Sequence, residues 1–209
     1  MQSNHTLAEL LGIQPGEGRL VRRLFLFALS NGAARTLMRS AAYALFLAEF
    51  SAQLLPYTYI GASLIAALAS LSYLHAVRRV ALARLLPATL LGVMLAFVGM
   101  RLGLAAGAGS WLIFALPIGH EVLLVMTNLA LWNSAGQLVN MQQGKRLFGL
   151  IAAGEPAAAV VGGFLMPPLV ALIGTPNLLL LAAAAVLGAL LIALALIRAY
   201  PAELARAAT

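Results

Sequence analysis

The 209-residue chain contains no cysteine and no aspartate. The first absence excludes disulfide frameworks and thiolate metal sites. The second excludes most phosphoryl-transfer and aspartyl chemistry. Charge is scarce overall: only 9% of residues are Asp, Glu, Lys or Arg, against roughly a quarter in an ordinary soluble domain. The zinc-protease HExxH, the GxSxG hydrolase elbow and the phosphate-cradling GxxxxGK[ST] loop are also missing, so no catalytic residue, metal site or cofactor is expected and the chain does not read as an enzyme. What is present is apolar: 63% of residues are hydrophobic and the mean hydropathy is +0.98. A soluble fold cannot hide that much apolar surface, so the chain reads as an all-α integral membrane protein whose first partner is the lipid bilayer. The net charge of +7 fits cytoplasmic loops facing anionic lipid, and no nucleic-acid partner is expected.

A membrane span needs about 20 mostly apolar residues. Six segments qualify, roughly 21–48, 55–77, 84–105, 110–133, 147–173 and 177–198. Turn signals separate them, among them Gly174-Thr175-Pro176-Asn177, where Asn177 is placed to cap the sixth helix. Arg19, Arg22 and Arg23 precede the first span. Arg78, Arg79 and Arg84 fall between the second and third, Lys145 and Arg146 between the fourth and fifth, and Arg198 and Arg206 after the sixth. The opposite loops carry only Arg101. Basic loops stay inside, so both termini are expected in the cytoplasm. The division is then a cytoplasmic segment 1–20, a six-helix transmembrane domain 21–198 and a tail 199–209. The first segment has no secretory signal pattern. Its Leu7, Leu10 and Leu11 have the spacing of a short surface helix.

The spans also repeat in role. The first carries embedded arginines and the fourth an embedded glutamate; the second and fifth are rich in small residues; the third and sixth are plainly aliphatic. A repeat after three helices has inverted topology, a pattern that transporters use with binding groups near the midplane.

The embedded polar residues are the candidate site. Asn31, Arg35, Arg39 and Tyr43 recur every four residues and share one helix face. Arg39 lies about 22 Å along the helix from Leu24 at 1.5 Å per residue, too deep to reach the interface comfortably. Two guanidinium groups one turn apart suit a polyanion, because the forks bind carboxylate or phosphate bidentately and stay charged. Glu121 lies near mid-depth of the fourth span, with Asn128 two turns on along the same face. It is the natural resting partner of Arg35 or Arg39, and a ligand anion would compete with it. His120 points about 100° away and reads as a packed histidine. Trp111 and Trp132 read as interfacial anchors.

The stretch MQQGKRLFGLIAAGEPAAAVVGGFL, Met141 to Leu165, leads into the fifth span and sets Gly154, Ala158 and Gly162 four residues apart, with Gly149, Ala153 and Ala157 in an adjacent row. Small-xxx-small rows let helix backbones approach closely in lipid. Ser63, Ala66, Ala67 and Ser70 form a similar row in the second span. Glu155 sits beside the first row and must pair with an arginine or face a cavity. Lys145 and Arg146 pin the cytoplasmic end.

The segment GKRLFGLIAAGEPAAAVVGGFL, followed by LIGTPNLLLLAAA, resembles the glycine-rich fifth helix of the nucleotide-exchange transporters: the ATP/ADP translocases and their bacterial relatives in the major facilitator superfamily. RSAAYALFL (Arg39 to Leu47) and LLPYTYIGASLIAAL are similar to that family's first helix and its entry to the second. The resemblance covers roughly residues 20–198. It implies the N-terminal six-helix half of such a transporter, with helices one and four lining a central cavity, in a bacterial inner membrane. Departures are present. Ala42 and Tyr43 stand where the family has a further basic and an acidic residue, and LHAVRRVALARL lacks the acidic-glycine motif of sugar-type facilitators. The tail IRAYPAELARAAT is expected to open a truncated central loop.

Two functions follow. One is a transporter half that carries an organic anion, a nucleotide among the candidates, by alternating access, with a second half, a soluble domain or a second copy as partner. The other is a non-transporting membrane anchor or sensor that oligomerises through its small-residue faces. They differ in whether the embedded charges satisfy one another.

Overall fold

The computed structural model describes residues 13–205, and among these all regular structure is helical. The elements are α1 (Gly18–Glu49), α2 (Leu55–Arg79), α3 (Leu82–Ala105), α4 (Ser110–Leu138), α5 (Met141–Ala152), α6 (Gly154–Ile173), α7 (Leu178–Ala199) and the single turn α8 (Pro201–Leu204). Short 3-10 turns at Ala52–Leu54 and Thr175–Asn177 lead into α2 and α7. The surface helix expected around Leu7 to Leu11 lies outside the described residues.

Local chemistry sets the ends. The Ser51 side chain accepts from the Gln53 N–H, and Pro56 occupies the first turn of α2, where its missing donor costs nothing. Asn140 and Gln143 form a reciprocal capping box at the start of α5. Gly174, at φ 78°, ends α6 in a conformation that other residues avoid.

Five stretches are long and apolar enough to cross a membrane: Ala52–Arg79, Leu82–Ala105, Ser110–Leu138, Met141–Ile173 and Thr175–Ala199. α1 is the longest helix, at 32 residues, yet it is not among them. Asn31, Arg35 and Arg39 interrupt its apolar run. The expected fifth span is two helices rather than one, broken at Ala153. Its amphipathic first piece starts at Met141, six residues before the expected boundary at 147.

The packing explains how so polar a helix is accommodated. α1 is central, with α7, α6 and α4 packed around it; α3 packs on α7 and α4, and α2 on α4. α3 offers Leu82, Leu86, Leu90, Val93 and Phe97 to the interior at helical spacing, facing Leu178, Leu179, Ala182, Val186, Ala189 and Ala193 of α7. Exchanging α1 with α4, α2 with α5–α6, and α3 with α7 maps this set of neighbours onto itself. α1–α7 becomes α4–α3, α1–α6 becomes α4–α2, and the α1–α4 and α3–α7 contacts are preserved.

Polar contacts define the two ends. At one, Glu17 meets Arg146 and Arg23 donates to the Ala195 carbonyl at 3.4 Å. At the other, Ser110 donates to Glu49, and Arg101 donates to the Asn177 side-chain oxygen at 2.7 Å. Asn177 does not cap α7 as expected. Its amide donates backwards to the Ile173 carbonyl at 2.7 Å, closing the end of α6 and holding Arg101 at once. Trp111 and Trp132 are both exposed, and Trp132 also sets an edge against Phe148.

Candidate functional site

The site is built on α1. Spacing by four places Asn31, Arg35, Arg39 and Tyr43 in one row, but their surroundings differ along it. Asn31 is buried and donates to the Thr127 carbonyl of α4 at 3.2 Å. Its side-chain oxygen is buried with no hydrogen-bond partner among the described residues, beside a small cavity shared with His120 and Thr127. Arg35 and Arg39 are exposed on the row. Tyr43 packs between Tyr59 of α2 and His120 of α4, with ring centres 6.2 and 6.1 Å away. His120 is buried, as its direction on the helix predicted.

A parallel row on α1, Gly32, Thr36 and Ser40, completes a cavity of about 420 Å³ with Arg35, Arg39, Glu155, Pro156 and Ala159. Close backbone approach creates it. A Cβ on Gly32 would lie 2.7 Å from the Cα and carbonyl oxygen of Glu155, and one on Gly154 would lie 2.7 Å from the Phe25 carbonyl. A Cβ on Gly162 would meet the Thr36 methyl at 3.0 Å. The row Gly154, Ala158, Gly162 is therefore a contact surface, and what it contacts is α1 of the same chain. That side of the row is covered within the chain, whereas Ser63 and Ala67 of the similar row on α2 are exposed. Gly149 stands apart, exposed on α5, and a Cβ there would meet no atom within 4 Å.

The carboxylates sort differently from the expected pairing. Arg35 pairs with Glu155, Nη1 to Oε2 at 3.6 Å, and not with Glu121. The reason is the Gly32–Glu155 backbone contact, which sets Glu155 within one helical turn of Arg35. Glu121 instead has its Oε1 3.7 Å from the buried Nε2 of His120. Among the described residues no carboxylate lies within 4.0 Å of Arg39.

Two further hollows continue the site across the front of the molecule. Arg35, Val125, Asn128 and Trp132 line one of about 370 Å³. Tyr59, Ser63, Ala66, Glu121 and Val125 line another of about 290 Å³. Shared walls at Arg35 and Val125 make the three hollows one groove. It runs from the α1–α6 flank, across α4, to the α2–α4 flank. Asn128 has its side-chain oxygen buried there without a hydrogen-bond partner among the described residues.

Lys145 and Arg146 lie away from this groove, at the end of the bundle. Arg146 Nη2 meets Glu17 Oε1 at 3.2 Å, and Gln143 donates to the same oxygen at 3.0 Å. The Gln14 N–H donates to the other oxygen at 2.9 Å. These donors, the Gln14 N–H foremost, hold the Glu17 carboxyl below its ordinary value. Gln143 serves twice, since its oxygen caps α5 at Asn140 while its amide reaches Glu17. Gly32, Thr36 and Ser40 were not among the residues that the sequence singled out, although their spacing by four beside the arginine row was the available signal. Among the described residues no group of three or more His, Asp or Glu side chains is placed to hold a metal ion.

No family model, no curated protein and no solved structure matches this chain.

Proposed function

We propose that the chain is a six-helix transporter half that binds an organic anion in the groove between α1, α4 and α6 and carries it across a bacterial inner membrane by alternating access. α1 is the sixth span in this reading, shielded from lipid by α4, α6 and α7. The neighbour relations that survive the exchange of α1–α3 with α4–α7 support two inverted triplets of the major facilitator kind. The end that gathers Arg19, Arg22, Arg23, Lys145, Arg146 and Arg198 is the cytoplasmic one, which puts both termini inside.

The observation that carries the proposal is Arg39. It is a permanent cation at depth, open to a cavity of about 420 Å³, one turn from a second guanidinium, and without a carboxylate neighbour among the described residues. A charge so placed is costly in a bilayer unless it faces water or a ligand. Two forks one turn apart, with Thr36 and Ser40 beside them, suit a phosphate-bearing or polycarboxylate anion, and a nucleotide is the candidate that the KRLFG-type resemblance favours. Glu155 is the built-in competitor for Arg35, so an arriving anion exchanges one carboxylate partner for another. An anchoring module whose embedded charges are all satisfied within one chain is less well supported, because no carboxylate of the described residues lies within 4.0 Å of Arg39.

Thermal shift of the purified protein against ATP, ADP, other nucleotides and simple polyanions tests this. A ligand that binds the folded state raises the melting temperature, by about 2.7 kcal/mol of stabilisation at a hundredfold excess over Kd. We expect stabilisation by at least one such anion, lost in Arg39→Ala while the unliganded melting temperature stays the same. Stabilisation undiminished in a well-folded Arg39→Ala protein would remove the site assignment.

A further inference from the structure

The groove is open along its whole front, and its charges are distributed unevenly. Arg35 and Glu155 neutralise one another on the α1–α6 flank. What remains is one cation, Arg39, on that flank and one carboxylate, Glu121, on the α2–α4 flank. Both belong to helices that meet at the same end of the bundle, where Ser110 at the start of α4 bonds Glu49 at the end of α1. Arg39 lies ten residues before Glu49, and Glu121 eleven residues after Ser110. At 1.5 Å per residue both are about 15–17 Å from that end, so they share one depth.

That arrangement is self-complementary under a two-fold rotation. When two copies face each other across an axis along the bundle, the α1–α6 flank of one opposes the α4–α2 flank of the other, at unchanged depth. We propose that a second copy of this chain covers the groove, forming a parallel two-fold dimer in which Arg39 of each protomer pairs with Glu121 of its partner. The interface is isologous, with the same contact made twice. It removes both residual charges from lipid, a cost that the isolated chain leaves standing, and it turns two open hollows into chambers walled by both copies. An anion entering such a chamber meets Arg39 already held by the partner's carboxylate and must displace it. The dimer itself does not depend on anion binding and is measured without ligand.

The test is charge exchange between copies, in nanodiscs, with two mass-tagged versions of the full chain. Arg39→Glu alone places glutamate against Glu121 at both contacts, and Glu121→Arg alone places arginine against Arg39 at both. Each is expected to weaken dimerisation at least about tenfold. Mixing the two variants creates one exchanged pair and one original pair, so the mixed dimer is expected to recover wild-type association. A pair formed within one chain would gain nothing from mixing. The chain has no cysteine of its own, which allows a second reading free of charge changes. Ser40 on one flank and Ser63 on the other sit nine residues before Glu49 and eight after Leu55. Oxidation is expected to cross-link a Ser40→Cys copy to a Ser63→Cys copy. If the charge variants fail to fold, this cross-link decides alone. A wild-type protein that stays monomeric with no Ser40→Cys to Ser63→Cys cross-link overturns the proposal, and the groove is then covered by another polypeptide or open to water. Single charge variants that dimerise as tightly as wild type overturn it as well.

Discussion

The back and front of this bundle use similar helices for different ends. At the back, α3 and α7 pack through buried apolar side chains, among them Leu86, Leu90 and Val93 of α3 and Ala182, Val186 and Ala189 of α7. At the front, α1 and α6 meet through glycine contacts and α1 meets α4 through Asn31–Thr127 and Tyr43–His120, leaving arginine, glutamate and asparagine along an open groove. The back is a packing solution, complete in itself. The front is less complete: Arg39 has no carboxylate within 4.0 Å among the described residues, and the side-chain oxygens of Asn31 and Asn128 are buried without a hydrogen-bond partner there. In a bilayer burial of a leucine face brings little net hydrophobic gain, so close contact is what holds helices together. The front obtains contact through absent side chains and the back through large ones.

The largest expected effect breaks the front. Gly32→Leu would drive a side chain into the Glu155 backbone, where even a Cβ lies at 2.7 Å. Backbone cannot yield as a side-chain tip can, so α6 must leave α1. Loss of a monodisperse, cooperatively melting protein is the expected outcome, and a melting temperature near wild type would show that the glycine contact is dispensable. Next comes the back. Leu90, fully buried, is expected to cost about 2–5 kcal/mol as Leu90→Ala, toward the lower end because lipid replaces water as the reference. Leu64, 64% exposed, is the control, and Leu64→Ala is expected to stay within about 0.5 kcal/mol. Equal losses at the two positions in detergent melts would erase the distinction between a packed back and a lipid-facing flank.

The smallest effect concerns the end of the bundle. Glu17 is held below its ordinary value of 4.5, so the native state binds its proton less readily than the unfolded chain does. Its contribution is therefore fully present above 4.5 and is lost as pH falls through the lowered value. Glu17→Gln should flatten that acid limb of the melting temperature and leave the neutral plateau lower by about 1 kcal/mol. An unchanged acid limb would mean that other carboxylates set it.

Much of the fold was legible because hydropathy and turn residues report on lipid directly. Expected spans at 55–77, 84–105, 110–133 and 177–198 correspond to α2, α3, α4 and α7 within a few residues, apart from the α4 end at Leu138. The break at Ala153 was legible only in part: Gly154 and Pro156 weaken the helix there, but hydropathy runs on across it and gives no place for the break. The polar row on α1 was read from spacing by four, a property of a single helix. Which carboxylate meets Arg35 was not, because it depends on how near two helices approach, and that distance is set by a glycine, Gly32, on the row beside the arginines.

The order of synthesis adds a consequence of the central place of α1. α1 precedes in the chain all the helices that enclose it, α4, α6 and α7, and so leaves the ribosome before them. With Asn31, Arg35 and Arg39 in its middle it partitions poorly into lipid by itself. The nascent chain must therefore keep α1 waiting at the insertion machinery, or hold it shallowly, until α4, α6 and α7 arrive to take it in.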